Sequence, residues 1–367
     1  MLTLGVEEEY LLLDPATGTP VARAAQVRRA ADLQSALADG EVQRELLQAQ
    51  LEIATPVCHA LEDIGGHLRR MRHALGRAAA QDGCVLAACA SAPFTDRLPV
   101  PVTDTVRYRS MHGDAPRLTD EQLICGMHVH LGIPDRSTGV TLLNALRPWL
   151  PLLVALAANS PLSQGADTGF ASWRTVVFGR WAVSGMPPSF EDATDYDRRT
   201  RSLVENRLIP DTGQIYWHIR LSERYPTIEI RAMDVQLRAD EAVLLAATVR
   251  ALAARLLTPA AAGPSTAAIP PETLDAALWH SARHGCAAEV FDPLHGGLRP
   301  VRDAFATLVD FTAAAGEDGV QIGSGLERIL REGNGAARQL GELRRGGREG
   351  LTGMIVDQTV AGGDHPR

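Results

Sequence analysis

The chain contains no lysine; all 36 of its basic residues are arginine. That absence excludes a pyridoxal phosphate Schiff base, a P-loop lysine and a lysine general base at once. Phosphate handling would fall to arginine, metal ions and backbone amides. The excess of Ala, Gly and Arg also fits codon bias in a GC-rich genome, and the exclusion follows either way. Long apolar runs are missing too. The longest, around Leu150-Pro151-Leu152-Leu153-Val154-Ala155-Leu156, is too short to span a bilayer and contains prolines, so no membrane association is expected. No charged-then-apolar leader is expected ahead of the first strand. The five cysteines are odd in number and form no C-x-x-C pair, which predicts a reduced, cytoplasmic protein. A basic surface is also lacking: the net charge of −8 argues against nucleic acid as a partner. With 367 residues, 45% of them hydrophobic, the chain is globular, as one large domain or two smaller ones. No internal repeat is evident.

Among the features present, Gly5-Val6-Glu7-Glu8-Glu9-Tyr10 carries the most information. Strand side chains alternate, so Glu7 and Glu9 share a face with Gly5, while Val6, Tyr10 and Leu12 line the other with Glu8 among them. Two carboxylates on one face repel unless something positive lies between them. Oxygen-only ligation favours magnesium or manganese. An edge strand with a solvated acidic face is the alternative.

The pattern predicts a strand over 2–13 and a helix over 59–81, with Leu61, Ile64, Leu68, Met71, Leu75 and Ala79 on one stripe. It predicts strands over 84–90 and 122–133, and a helical stretch over 139–158 interrupted by Pro148 and Pro151. A strand pair, 214–221 and 226–235, flanks Ser222-Glu223-Arg224-Tyr225, and a helix follows over 240–257. Residues 259–271 read as an Ala/Gly/Pro linker before further helices. Strands and helices mix without βαβ alternation, which favours an α+β fold with a largely antiparallel sheet. The expected organisation is one catalytic domain over 1–346 and a flexible tail over 347–367.

Four further segments place polar residues where a strand should be apolar. Glu45 to Pro56 would set Gln48, Gln50 and Glu52 on one face; Glu45 has the wrong parity and needs a bend or a helical turn to join them. Gly126-Met127-His128-Val129-His130 presents two imidazoles together. Ala171-Ser172-Trp173-Arg174 carries an arginine beside an aromatic. Thr227-Ile228-Glu229-Ile230-Arg231 puts Glu229 and Arg231 opposite two isoleucines. Taken singly, each has a plain reading: a cross-strand ion pair, hydrogen-bonded sheet histidines, an arginine stacked on a ring. His280 and His284 read as a solvated helix face, with no third ligand near in sequence. Taken together, one sheet face lined by Glu, His and Arg suits a polyanion with metal ions.

These residues carry a resemblance. Gly-Val-Glu-Glu-Glu-Tyr, Leu-Glu-Ile-Ala-Thr-Pro and Cys-Gly-Met-His-Val-His-Leu-Gly resemble the type 2 glutamate–cysteine ligases, a family of carboxylate–amine ligases. So do Asn144 to Pro151, Ala158-Asn159-Ser160-Pro161, Asp167 to Arg174, Pro226 to Arg231 and Gly333 to Gln339, in the right order from residue 4 to about 345. The resemblance implies a glutamine-synthetase-like fold: an antiparallel sheet forming a saddle-shaped active site, with helices on the other face. It implies ATP and magnesium, or manganese, on the concave side. It further implies metal-linked roles for Glu7, Glu9, Glu45, Glu52, His128 and Glu229. Arg174 and Arg231 would act on phosphate or substrate carboxylate, with His128 as a ligand or an orienting group.

The implied reaction joins a carboxylate, with glutamate favoured, to a small amine through an acyl phosphate, with weak activity toward cysteine. Tyr108, Trp173 and Trp217 are candidates for the acceptor pocket, and each could equally be core packing. The partners expected are small molecules, and the oligomeric state is left open, a homodimer included. Two other classes stay open: an ATP- and magnesium-dependent phosphotransferase (a guanidino or amino kinase) on the same fold, and a non-catalytic binding protein descended from a ligase.

Overall fold

Alternation sorts the first strand as expected. In β1 (Leu4–Leu13), Val6, Glu8, Tyr10 and Leu12 are buried, while Glu7 and Glu9 are half-buried on the opposite face. The structure, a computed structural model, describes residues 2–32, 37–38, 40–96, 99–258, 269–287 and 289–361. Around β1 stand β2 (Val42–Arg44), β3 (Gln50–Ala54), β4 (Val85–Ala87), β5 (Gly126–Gly132), β6 (Ile219–Leu221) and β7 (Thr227–Asp234). They form one antiparallel sheet in the order β6-β7-β5-β1-β3-β2, with β4 also pairing β1. The molecule is α+β, as the mixed pattern predicted.

One face of this sheet is apolar. Leu51 and Ile53 of β3, Val129 and Leu131 of β5, Ile219 and Leu221 of β6, and Ile228 and Ile230 of β7 are all buried. Helices Leu61–Gln81, Arg136–Leu146, Leu150–Ala157 and Ala239–Leu256 pack on the sheet and share its hydrophobic core. The stripe predicted for the first of these helices is buried throughout, from Leu61 to Ala79. Each large aliphatic side chain so placed contributes roughly 1.5–3 kcal/mol relative to exposure. Glu8 is the exception on this face. It is fully buried and paired with the fully buried Arg72 at 2.5 Å, and Tyr10 donates its hydroxyl to the same carboxylate.

Two expectations need correcting. Helices Arg136–Leu146 and Leu150–Ala157, joined by the 3-10 turn Arg147–Trp149, make a 22-residue stretch long and apolar enough to cross a membrane. Its most apolar window is 83% buried inside the protein, so it is a core element. Pro148 and Pro151 sit in first turns, where a missing N–H breaks no ladder bond.

The stretch after Gly346 was expected to be loose. Instead helix Gly335–Val360 runs through it, kinked at Gly347, whose φ of +62° with ψ of −155° is a combination essentially reserved for glycine. Leu351, Ile355 and Thr359 recur every fourth residue and are buried, a stripe that holds the segment down. The Thr359 hydroxyl accepts the Ala88 N–H at 2.9 Å, just past β4. Residues 362–367 of the expected tail, and 259–268 of the expected linker, lie outside the described residues.

Candidate active site

Cross-strand register builds the polar face. Glu7 stands opposite His128, Glu9 opposite Glu52, His130 opposite Glu229, and Arg220 opposite Glu229. Antiparallel partners share a face, so five strands turn their charged side chains the same way. Glu45 reaches that face as the sequence required, through a bend directly after β2 that its own carboxylate stabilises by accepting the Leu46 N–H at 2.8 Å. Gln48 does not join it, because β3 becomes extended only from Gln50 and Gln48 lies in the preceding turn.

The six expected metal positions resolve into two groups. Glu9, Glu45 and Glu52 offer oxygens within 4.8 Å of one another, and so do ligand atoms of Glu7, His128 and Glu229. The second group already has basic partners. His128 Nδ1 lies 3.0 Å from Glu7, His130 Nε2 lies 3.4 Å from Glu7, and Arg220 and Arg231 both pair with Glu229. Burial raises the Glu7 and Glu229 carboxyls, but these partners more than reverse it, holding both well below the usual carboxylate range. Burial, with Arg231 nearby, pushes the His128 imidazole down and keeps it neutral at pH 7, the form that binds or orients a ligand.

In the first group, among the described residues, only Glu9 has such a partner, His128 Nε2 at 3.9 Å. Burial followed by Glu9 pushes the Glu45 carboxyl up to about 7. Burial and then Glu7, Glu45 and Glu9 push Glu52 well up. No arginine forms an ion pair with Glu45 or Glu52 among the described residues. Three clustered carboxylates that cannot all ionise unaided fit a divalent cation, and their oxygen-only set fits magnesium or manganese.

Both predicted arginines adjoin this group. Arg174 and Arg231 line a cavity of about 140 Å³ together with Glu9, Glu45 and Tyr108. Arg174 is 1% exposed and lies 5.0 Å from the Phe178 ring, so the ring it meets is Phe178 and not the preceding Trp173. A Cβ on Gly126 would collide with its guanidinium, so that glycine makes room for it. Tyr108 reaches the cavity with its hydroxyl 3.3 Å from the Arg44 carbonyl.

Neither Trp173 nor Trp217 lines this cavity. Trp173 faces a different pocket, with Ser91 and Arg180, and packs on Phe170. Trp217 is buried among Phe190 and Tyr196, in the aromatic core. Neighbouring positions on the short helix Trp173–Phe178 point apart, so Arg174 and Trp173 cannot both enter one cavity. Sequence reasoning missed Arg220, whose parity with Glu229 only the register reveals. It also missed Trp181, in a bend, and Tyr216, which opens the two-residue strand Tyr216–Trp217; both line the cavity.

Comparison with known proteins agrees with this geometry. Residues 3–362 match glutamate-cysteine ligase family 2 (GCS2). A provisionally named glutamate–cysteine ligase 2-1 of Nocardia farcinica is 40% identical, over 92% of this chain and 88% of that one. A provisionally named glutamate–cysteine ligase 2-2 of a Mycobacterium species (strain KMS) is 41% identical over 94% of each. A glutamate–cysteine ligase of Francisella tularensis, solved in complex with AMP, shares the fold at a TM-score of 0.72 and 12% identity, over 98% of this chain and 89% of that one. The ligase PafA, solved with the ubiquitin-like protein Pup, aligns with a TM-score of 0.51 at 12% identity, over 98% of this chain and 71% of that one. With an antiparallel sheet that turns its carboxylates and arginines to one face, and a match that runs nearly end to end, the chain belongs to glutamate-cysteine ligase family 2 and is a carboxylate–amine ligase.

Proposed function

We propose that the chain is an ATP-dependent ligase that joins the γ-carboxylate of glutamate, or a similar acid, to a small amine. The observation that carries this reading is the oxygen-only group Glu9, Glu45 and Glu52, two of whose members, Glu9 and Glu45, line one cavity with Arg174 and Arg231. A free carboxylate is a poor acyl donor because oxide would have to leave. Transfer of the γ-phosphoryl group of ATP to a carboxylate oxygen gives an acyl phosphate and ADP. Attack by the amine then forms the amide and expels phosphate, with the amine's proton released.

Magnesium or manganese, held by Glu9, Glu45 and Glu52, would neutralise phosphate charge. Glu7, His128 and Glu229 are a second, mixed set for the same purpose. The chain's own contribution is positioning and charge. Arg174 keeps Nε and Nη1, and Arg231 keeps Nε, buried without partners among the described residues, ready for phosphate or carboxylate oxygens. Tyr108, at the cavity wall, serves the acceptor side. Cysteine is a slow acceptor in this reading and another small amine a faster one. Small-molecule partners and a cytoplasmic location belong to the same reading.

An amine panel with glutamate, ATP and magnesium tests it, read by phosphate release and product mass. The expected product is an amide with free phosphate. A stable phosphorylated product would indicate a phosphotransferase instead. Glu52→Gln is expected to lower turnover by about a hundredfold or more while the fold persists. Full activity of that variant, or of the unmodified protein in excess chelator, would refute the metal-dependent reading.

A further inference from the structure

Arg174 is presented with unusual care. Its Nη2 donates to the Arg231 carbonyl at 3.1 Å, and Nε and Nη1 have no partner among the described residues. A buried guanidinium with two idle donors is costly unless an anion arrives to meet them.

What holds it is a carboxylate outside both metal-type groups. Asp234 ends β7, just beyond a bulge between Ile230 and Met233, and is 1% exposed. Asn159 N–H and Ser160 Oγ donate to its Oδ2 at 2.8 and 2.7 Å, and Ser172 Oγ donates to its Oδ1 at 2.8 Å. Each serine spends its one hydrogen on Asp234, which leaves its lone pairs for the Arg174 helix. Ser160 Oγ accepts the Arg174 N–H at 3.0 Å, and Ser172 Oγ accepts the Thr175 N–H at 3.3 Å. Two of the orphan donors of the helix's first turn are therefore satisfied by hydroxyls that Asp234 orients.

Hydrogen bonding alone does not account for a charged residue here. No cation forms a direct ion pair with Asp234 among the described residues. Burial raises its carboxyl, and Arg174 is the strongest influence opposing that rise. Burial likewise pulls Arg174 down, and Asp234 is the strongest influence holding it up. The two buried charges answer each other across the helix start.

We propose that Asp234 is a positioning residue: through Ser160 and Ser172 it fixes the first turn of helix Trp173–Phe178, and its charge holds the Arg174 guanidinium ready for the phosphate or carboxylate oxygens of the reacting substrates. The inference rests on Arg174 receiving an anion in the reaction proposed above.

A double-mutant cycle between Asp234→Asn and Arg174→Gln tests it, using the full chain with the best amine found, glutamate, ATP and magnesium. Asp234→Asn is expected to lower kcat by about tenfold to a hundredfold, with KM for ATP changed less than about threefold. In the Arg174→Gln background it is expected to cause no further loss. Ser160→Ala, which removes the link to the Arg174 N–H, is expected to lose part of the same kcat and replaces Asp234→Asn if that variant does not fold. An equal loss in both backgrounds would assign Asp234 to fold maintenance alone and overturn the proposal, as would normal kcat in Asp234→Asn. Full turnover in Arg174→Gln would overturn it by removing Arg174 from the chemistry while leaving the ligase reading intact. If the unmodified protein neither turns over nor binds ATP with magnesium by calorimetry, the ligase reading fails and the inference falls with it.

Discussion

Glu8 sits between two site carboxylates in sequence and on the opposite face of the sheet in space. Its neighbours face the cavity, while Glu8 is fully buried against Arg72. Arg72 also donates to the carbonyls of Gln236 and Leu237, each at 2.9 Å. One arginine therefore ties β1, helix Leu61–Gln81 and the chain leading into helix Ala239–Leu256. Breaking a buried pair strands the remaining charge, at a cost of about 3–5 kcal/mol. Glu8→Gln is accordingly expected to lower the urea midpoint strongly while the protein that remains folded keeps its turnover. Unchanged stability would show that the carbonyls alone satisfy Arg72. The alternation of the strand made the separation of Glu8 from Glu7 and Glu9 legible; its partner, 64 residues away, was not.

At the scale of elements, the C-terminal helix shows what local reading overlooks. Gly346, Gly347, Gly350 and Gly353 weaken helix propensity, and the segment reads as loose for that reason. Packing overrides propensity: Leu351 and Ile355 are fully buried, and Thr359 is hydrogen-bonded beside β4. Ile355→Ala is expected to destabilise the protein by about 2–5 kcal/mol, measured by urea denaturation. A change within about 0.5 kcal/mol, typical of surface positions, would return this segment to the status of a dispensable tail. The helix Trp173–Phe178 gives the converse case. With six residues it is too short for periodicity to reveal, yet it presents Arg174 to the site.

For the whole molecule, the site stores charge that the fold alone does not balance. The Glu45 carboxyl is pushed up to about 7, above its value in an unfolded chain. A raised folded pKa contributes stability that is present below the unfolded value, about 4.3, and is lost as pH rises toward about 7. Glu52, also raised, acts in the same direction. A divalent cation reverses the sign, because it binds the ionised carboxylates and releases their protons. Magnesium is therefore expected to raise the melting temperature clearly at pH 8 and little at pH 5. Glu45→Gln should remove most of the difference. An equal shift at both pH values, or none, would place magnesium elsewhere.

The sequence by itself determined the strand faces, the apolar stripe of Leu61–Gln81, the α+β class and most of the residues that make up the polar sheet face, because all of these follow from local alternation and periodicity. It also required a bend or a helical turn at Glu45, since parity would otherwise turn that carboxylate away from Glu52. Tertiary structure alone decided how six polar positions divide into two groups, since register and a bend set which oxygens meet. It decided that Trp217 belongs to the core and that Arg220 belongs to the site. It also decided that Asp234 stands behind Arg174, because a buried charge is defined by what surrounds it, and its surroundings come from segments more than sixty residues apart.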